Sequence, residues 1–333
     1  MSYVYLDWNV VKYMKSHRRD CNLTTDEYFT SLIFGMAKKG VYSFPYSEAH
    51  IKDRSNQYNP AYRTEVIKDF NFFGYINQNM CLGIVGDSSN LSMHFKKMID
   101  FFDENINSPV QVPSRESFLK NAFQIYADMD KICEDNPLYE LLKNSNGHIT
   151  EDDMATFLEE QFSCIFRDAN SYKKMRNYLP YVNLESDDAH ISYMTSQYAH
   201  ELFVHLGPFI KSVNDDEISL SLKWKEICES WFSLNHPLPI SKSQLLVQGY
   251  TLLDMHPLFY DKLKKGKNTL NNILNDGTHV YYASEAKYFV SEDSHTRKKA
   301  KFIYTAFGID TKVLSEKEFL DEIGHSNNVV IEL

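Results

Sequence analysis

An apolar run at the start of the chain breaks at Asp7 in "YLDWNV", and Asn9 follows two positions later. The run predicts a short buried strand that ends by presenting a carboxylate. Next, "TTDEYFTSLIFGMAKKG" reads as a helix. Thr24 and Glu27 match a capping box, Leu32, Phe34 and Met36 are apolar, and Gly40 suits a C-terminal stop. "VYSFPYS" (41–47) predicts a second strand running into "SEAHIKDR", a helix that Ser47 can cap. Strand, helix, strand, helix is the rhythm of an α/β domain with a parallel sheet.

The last 90 or so residues resume it. "TLNNILNDGTHVYYASEA" has helical character, "KYFVSED" is a short strand ending in acids, and "SHTRKKAKFIYTAFG" is a helix closed by Gly308. "IDTKVLS" is a strand, "EKEFLDEI" a helix and "NNVVIEL" a further strand. Between these ends the chain carries long aromatic-rich amphipathic segments: "RESFLKNAFQIYADMDKIC", "DMATFLEEQFSCIFRDANSYKKM" and "ISYMTSQYAHELFVHLGPFI". They read as mostly helical. "NFFGYINQNMCLGIV" (71–85) fits neither period cleanly and has room for a strand. The expected architecture is therefore one α/β domain of residues 1–60 and 245–333, split by a mostly helical insertion of residues 61–244.

Composition changes this picture little. At 333 residues, 43% hydrophobic and 24% charged, the chain buries a sizeable core. The five cysteines are odd in number and widely spaced, which points to reduced thiols. No leader pattern opens the chain and no run approaches the ~18 apolar residues of a membrane span, so a cytoplasmic protein with no membrane partner is expected. The net charge of -10 counts against generic nucleic-acid binding but leaves room for a metal-dependent nuclease. Such a site needs clustered carboxylates, and local basic stretches such as "KSHRRD", "KLKKGK" and "HTRKKAK" can guide a polyanion.

Asp7 alone fits a solvated strand end, a helix cap or one metal ligand. Partners come from the far end of the chain. Asp276 reads as the start of a helix whose small or apolar Val280, Ala283 and Ala286 can face a sheet, and Asp293 ends the strand after it. Parallel strands release their C-terminal ends on one edge, where the following helices begin, so these acids should meet there.

In these residues the chain resembles PIN-like domains, a family of metal-dependent nucleases. Their opening strand, L-D-x-N, matches Leu6, Asp7, Trp8 and Asn9. Their later Asp opening a small-residue helix, followed by a strand of the type L-V-T-x-D, matches Asp276, Ala283 and "FVSED" ending at Asp293. The resemblance covers roughly residues 1–60 and 245–325. It implies a three-layer fold with a central parallel sheet and a site binding Mg2+ or Mn2+ through Asp7, Asp276, Asp293 and one more acid. Counting from Ser47, that acid falls on Lys52, a departure from the pattern; Asp53 is one step on and is favoured over Glu48, which suits a macrodipole role. Asn9 is placed to hold Asp7 or a metal-bound water, and Ser291 to orient Asp293 or a phosphate oxygen.

The implied activity is endonucleolytic hydrolysis, of RNA rather than DNA, with the insertion shaping access or binding a protein regulator. The rival reading is a catalytically inactive PIN-like module that binds RNA or protein. A phosphatase of the haloacid-dehalogenase type also begins with an Asp-ended strand, but it wants an acid where Asn9 stands. "LLKNSNGHITEDD" resembles a calcium loop, yet Leu142 occupies its first ligand position, so a helix-turn-helix connection with Gly147 in the turn is expected. His200 and His205 are too far apart to share a helical face as zinc ligands do. His50, near the proposed site, reads as an ordinary polar group.

Overall fold

The computed structural model of the protein describes residues 2–16, 18, 23–55, 58–85, 90–106, 124–132, 134, 139–178, 191–194, 205–233, 239–260 and 270–326. The chain divides into two compact units: Met1–Pro109 with Ser241–Leu253 and Leu274–Leu333, and Val110–Ile240 with Asp254–Ile273.

The first unit contains β1 (Val4–Leu6), α1 (Trp8–Ser16), α2 (Leu23–Lys39), α3 (Glu48–Ser55), α4 (Arg63–Asn77), β2 (Met80–Val85), β3 (Asn90–Phe95) and α5 (Met98–Asn105). After these come α6 (Lys242–Leu253), α7 (Leu270–Ala283, in this unit from Leu274 on), β4 (Tyr288–Val290), α8 (Ser294–Phe307), β5 (Lys312–Leu314) and α9 (Glu316–Ser326). Strands β1, β4 and β5 form a parallel sheet in that order, pairing Leu6 with Val290 and Val290 with Leu314. Every residue of β1 and β4 is buried, as parallel strands covered on both faces require. Each such side chain contributes about 1.5–3 kcal/mol of burial. The three strands thus end level, which brings the residues just after Leu6 and Val290 together.

Helix α2 buries Phe29, Leu32, Ile33 and Met36 at helical spacing. It ends before Gly40, whose φ of 67° is left-handed. The side chains of Thr24 and the N-terminal turn lie outside the described residues. The expected strand 41–47 is a correction: it forms only isolated parallel bridges, Tyr3 with Ser43 and Tyr46 with Cys81. Pro45 has no amide hydrogen to donate, so no continuous ladder forms across it. The segment nonetheless links β1 to the antiparallel β2–β3 hairpin. That hairpin accounts for the unassigned stretch, since α4 occupies its first part and β2 its second. Residues beyond 60 therefore belong to the α/β unit: Phe70, Phe73 and Ile76 of α4 share a core with Leu6, Phe44 and Tyr46. The strand expected in "NNVVIEL" lies outside the described residues.

The second unit holds helices Glu151–Arg167, Ala169–Tyr178 and Glu217–Ser233, but also an antiparallel sheet of His148–Ile149, Gln124–Ala127 and Ile191–Met194. Two of these strands fall inside segments read as helical. Their four-residue alternation is too short to stand out against the amphipathic pattern around it. Gly147, at φ 81°, makes the expected turn, and Thr150 with Asp153 closes a capping box on the following helix. Cys81 and Cys228 are free and buried, and Cys164 is free and exposed. Among the described residues no helix is long and apolar enough to cross a membrane.

Candidate metal centre

Asp7 follows β1 directly, and its amide donates to the Val290 carbonyl at 2.9 Å. Its own carbonyl accepts from Val10 and Val11 and so opens α1. The carboxylate is held differently. Oδ2 accepts from Ser291 Oγ at 2.6 Å and from Asn9 Nδ2 at 2.9 Å, while Asn9 Oδ1 accepts from the Glu292 amide. Asn9 therefore holds Asp7, as its position in the sequence suggested. Ser291 also holds Asp7, and it takes the amide of Asp293 at 3.2 Å rather than its carboxylate.

Asp53 comes from α3, capped by the Ser47 hydroxyl on the Ala49 amide. Its Oδ1 accepts from Asn275 Nδ2 at 2.6 Å and its Oδ2 lies 2.8 Å from His279 Nε2. One ligand atom each from Asp7, Asp53 and His279 falls within 4.8 Å of the others. Glu48, the alternative acid, is half-buried and pairs with Lys52, so Asp53 is the acid that reaches the centre.

Asp276 is a correction in part. α7 begins at Leu270, so Asp276 sits in its second turn instead of at its start; "LNNIL" is polar enough to read as a loop yet buries Leu270 and Ile273. The carboxylate is half-buried within the field of Asp7 and Asp53. Burial and those two charges hold its carboxyl well above the usual range. Asp293 lies beyond the end of β4, and Oδ1 caps α8 by accepting from His295 and Thr296 amides at 2.8 and 3.1 Å. It is exposed, although its charge still bears on Asp7. So Asp7 and Asp53 converge closely, Asp276 joins them electrostatically, and Asp293 stands at the rim as a helix cap.

Sequence reasoning missed His279, Asn275 and Lys299. His279 sits two residues after Gly277, where α7 crosses α6 so closely that an added Cβ would meet the Val247 carbonyl at 2.8 Å. That glycine was the available signal. Burial pushes the His279 imidazole down, but Asp53, Asp7 and Asp276 together push it up further, and the net shift is upward. Its Nδ1 lies 2.9 Å from Tyr5 Oη, which lies 2.6 Å from Ser47 Oγ. A charged His279 therefore donates to both Asp53 and Tyr5, and Tyr5 donates onward to Ser47. His50 has the ordinary polar role expected of it. Its Nδ1 accepts from the Ser47 amide and its Nε2 donates to the Leu6 carbonyl, and burial beside His279 holds it neutral.

Burial raises the Asp7 carboxyl, and Asp53 and Asp293 add to the shift against His279 and Ser291. Buried Lys299 on α8 lowers Asp276 and packs over the Tyr250 ring. Asp7, Asp53 and Asp276 raise one another's cost of ionisation, which His279 and Lys299 offset only in part, and a divalent cation would relieve it. The donors are carboxylate oxygens, the hard ligands that Mg2+ and Mn2+ take. Beside Asp53, Asn275 Oδ1 is a further buried oxygen that meets no hydrogen-bond donor among the described residues. The donor set thus fits such an ion, with His279 committed to Asp53.

The basic stretches are used internally where they are described. Arg18 binds Asp26, Glu292 and Glu316, and Arg297 donates to the Ser291 carbonyl. "KLKKGK" and His200 lie outside the described residues, and His205 bonds the Ser230 carbonyl. No protein-family model matches the chain, and no curated protein or solved structure matches it at a significant level.

Proposed function

We propose that the protein is a metal-dependent endonuclease with a PIN-like fold, hydrolysing phosphodiester bonds of RNA. The observation that carries this reading is the convergence of Asp7, just after the L-D-x-N strand β1, and Asp53, on α3, with Asp276 in their field. The parallel sheet at whose edge Asp7 lies, with isolated bridges at Ser43 and Tyr46 beside it, supports the same reading.

Asp7, Asp53 and Asp276 would hold the cation, with Asp293 at the rim. A divalent ion bound there supplies neutralisation of the phosphate charge and acidification of a water. The chain's residues do the positioning. Asn9 and Ser291 fix one oxygen of Asp7, and the other has no hydrogen bond among the described residues, while Asn275 and His279 fix both oxygens of Asp53. Charged His279 also keeps the carboxylates from repelling one another apart before an ion arrives.

The His279–Asp53 pair equally favours a second reading, an inactive module that binds RNA or protein and neutralises its acids internally. Incubating purified protein with labelled RNA and DNA in Mg2+, Mn2+ or EDTA separates them. Metal-dependent RNA cleavage lost on Asp53→Asn supports the nuclease; RNA binding with no cleavage in either metal supports the module.

A further inference from the structure

Trp8 and Arg54 each directly follow a carboxylate of the centre, and both line one cavity of about 230 Å3 between α1, α3 and α4. Lys12 and Lys15 form its α1 wall, with Asp69 and Phe72 opposite. Trp8, Lys12 and Lys15 stand at i, i+4 and i+7, so they make one stripe that leads away from Asp7 along about 10 Å of helix.

The electrostatics of this cavity differ from those of the acidic chain around it. Asp69 binds Lys15 through Oδ1 and Arg54 Nη2 through Oδ2, the latter at 2.9 Å, which fixes the two cations on facing walls. Glu65 is engaged with Lys68. Lys12 is exposed and takes part in no hydrogen bond or ion pair among the described residues, and Arg54 Nε is buried with no acceptor. Donors and positive charge are in surplus there, beside a centre where negative charge is in surplus.

From this juxtaposition we propose that the cavity is a subsite for a phosphate of single-stranded RNA flanking the bond held at the carboxylates, with Lys12, Lys15 and Arg54 as its contacts. The choice of RNA rests on the nuclease reading. The cavity is smaller than the ~300 Å3 at which free-ligand pockets begin. It therefore suits one sugar-phosphate of a longer chain and is too narrow for a duplex. An RNA strand leaving Asp7 along α1 meets Lys12 and Lys15 in turn. Cationic contacts set affinity and register without reading sequence.

The test is binding of a fluorescent single-stranded RNA in EDTA, so that no cleavage interferes, across a salt series. Lys12→Gln changes an exposed side chain and leaves the fold alone; Lys301→Gln, on α8, is the control. The expected result is binding by the parent, about 3- to 10-fold weaker binding by Lys12→Gln, and a salt slope shallower by about 0.7, the value for one lost phosphate contact on a single strand. The control should match the parent. Parent binding that Lys12→Gln leaves unchanged overturns the subsite even if Mn2+-dependent cleavage is found, and so does failure of the parent to bind. Lys12-dependent binding without cleavage keeps the subsite and removes the nuclease reading instead.

Discussion

His279 and Asp53, 226 residues apart in sequence, meet at 2.8 Å between α7 and α3 and pair a buried imidazole with a half-buried carboxylate at the centre of the acidic site. The carboxylates raise the imidazole, so the sign of its pH dependence is fixed. The pair's stabilisation is complete below the unfolded histidine value of ~6.5 and is lost as pH rises through the higher folded value. In EDTA, the parent should exceed His279→Gln in unfolding free energy by about 1–3 kcal/mol at pH ~6, with the gap shrinking toward pH ~9. Denaturant titrations across that range check it, and a gap independent of pH would rule out a charged His279.

Ser291 offers a milder perturbation of the same site. Its hydroxyl donates to Asp7 and accepts the Asp293 amide, so Ser291→Ala removes one of the two donors that hold the Asp7 carboxylate, leaving Asn9, without changing any charge. Losing a group that orients a ligand typically costs 10- to 100-fold in metal affinity. Calorimetric titration with Mn2+ should show a loss of that size while the fold is retained. Unchanged affinity would mean that the Asp7 position does not depend on Ser291.

How much of this was legible in the sequence differs residue by residue, for physical reasons. Asp7 and Asn9 stand at a strand end, where parallel-sheet topology forces convergence, and the pattern exposes them. Asp53 was reachable only by choosing between two acids on one helix, because the one-residue offset there depends on how α3 is rotated. His279 was missed because a histidine on an apolar helical face has little local signature beyond the glycine two residues before it; its partners come from β1 and α3. Asp293 caps α8 at the rim of the site, a role the sequence did not separate from that of a ligand, since strand ends and helix starts favour the same residue for different reasons. The strands inside the second unit were hidden because their pairing is set by tertiary contacts that periodicity does not carry.

Gly277 tests the helix crossing that places Asp276 and His279. Alanine gains about 0.8–1 kcal/mol of helix propensity over glycine, but its Cβ would press on the Val247 carbonyl at 2.8 Å and the Tyr250 side chain at 3.4 Å. Overpacking of this kind costs typically about 1–3 kcal/mol, so the net change should be a loss. It should also weaken Mn2+ binding, because α7 must move off α6. A Gly277→Ala protein more stable than the parent would contradict the close approach.

The sharpest contrast lies between Asp7 and Asp293, which the sequence treated alike and the fold separates. Asp7 is buried, its carboxyl raised by burial with help from its neighbours, so above its folded pKa the ionised group costs the folded state free energy. Asp7→Asn keeps the shape and an oxygen for Asn9 and Ser291, and should raise metal-free stability. It should also abolish most of the metal response. At Mn2+ a hundred times its Kd the parent gains about 2.7 kcal/mol, and the variant should gain far less. Cleavage should fall by about 10²-fold or more. Asp293→Asn should leave folding unchanged, because asparagine caps a helix as well as aspartate, whereas Asp293→Ala should cost about 1 kcal/mol. Melting with and without Mn2+, beside an RNA cleavage assay, reads all three variants together. Equal metal responses in Asp7→Asn and the parent would remove Asp7 from the ligand set, and cleavage retained by Asp293→Asn would reduce Asp293 to its cap.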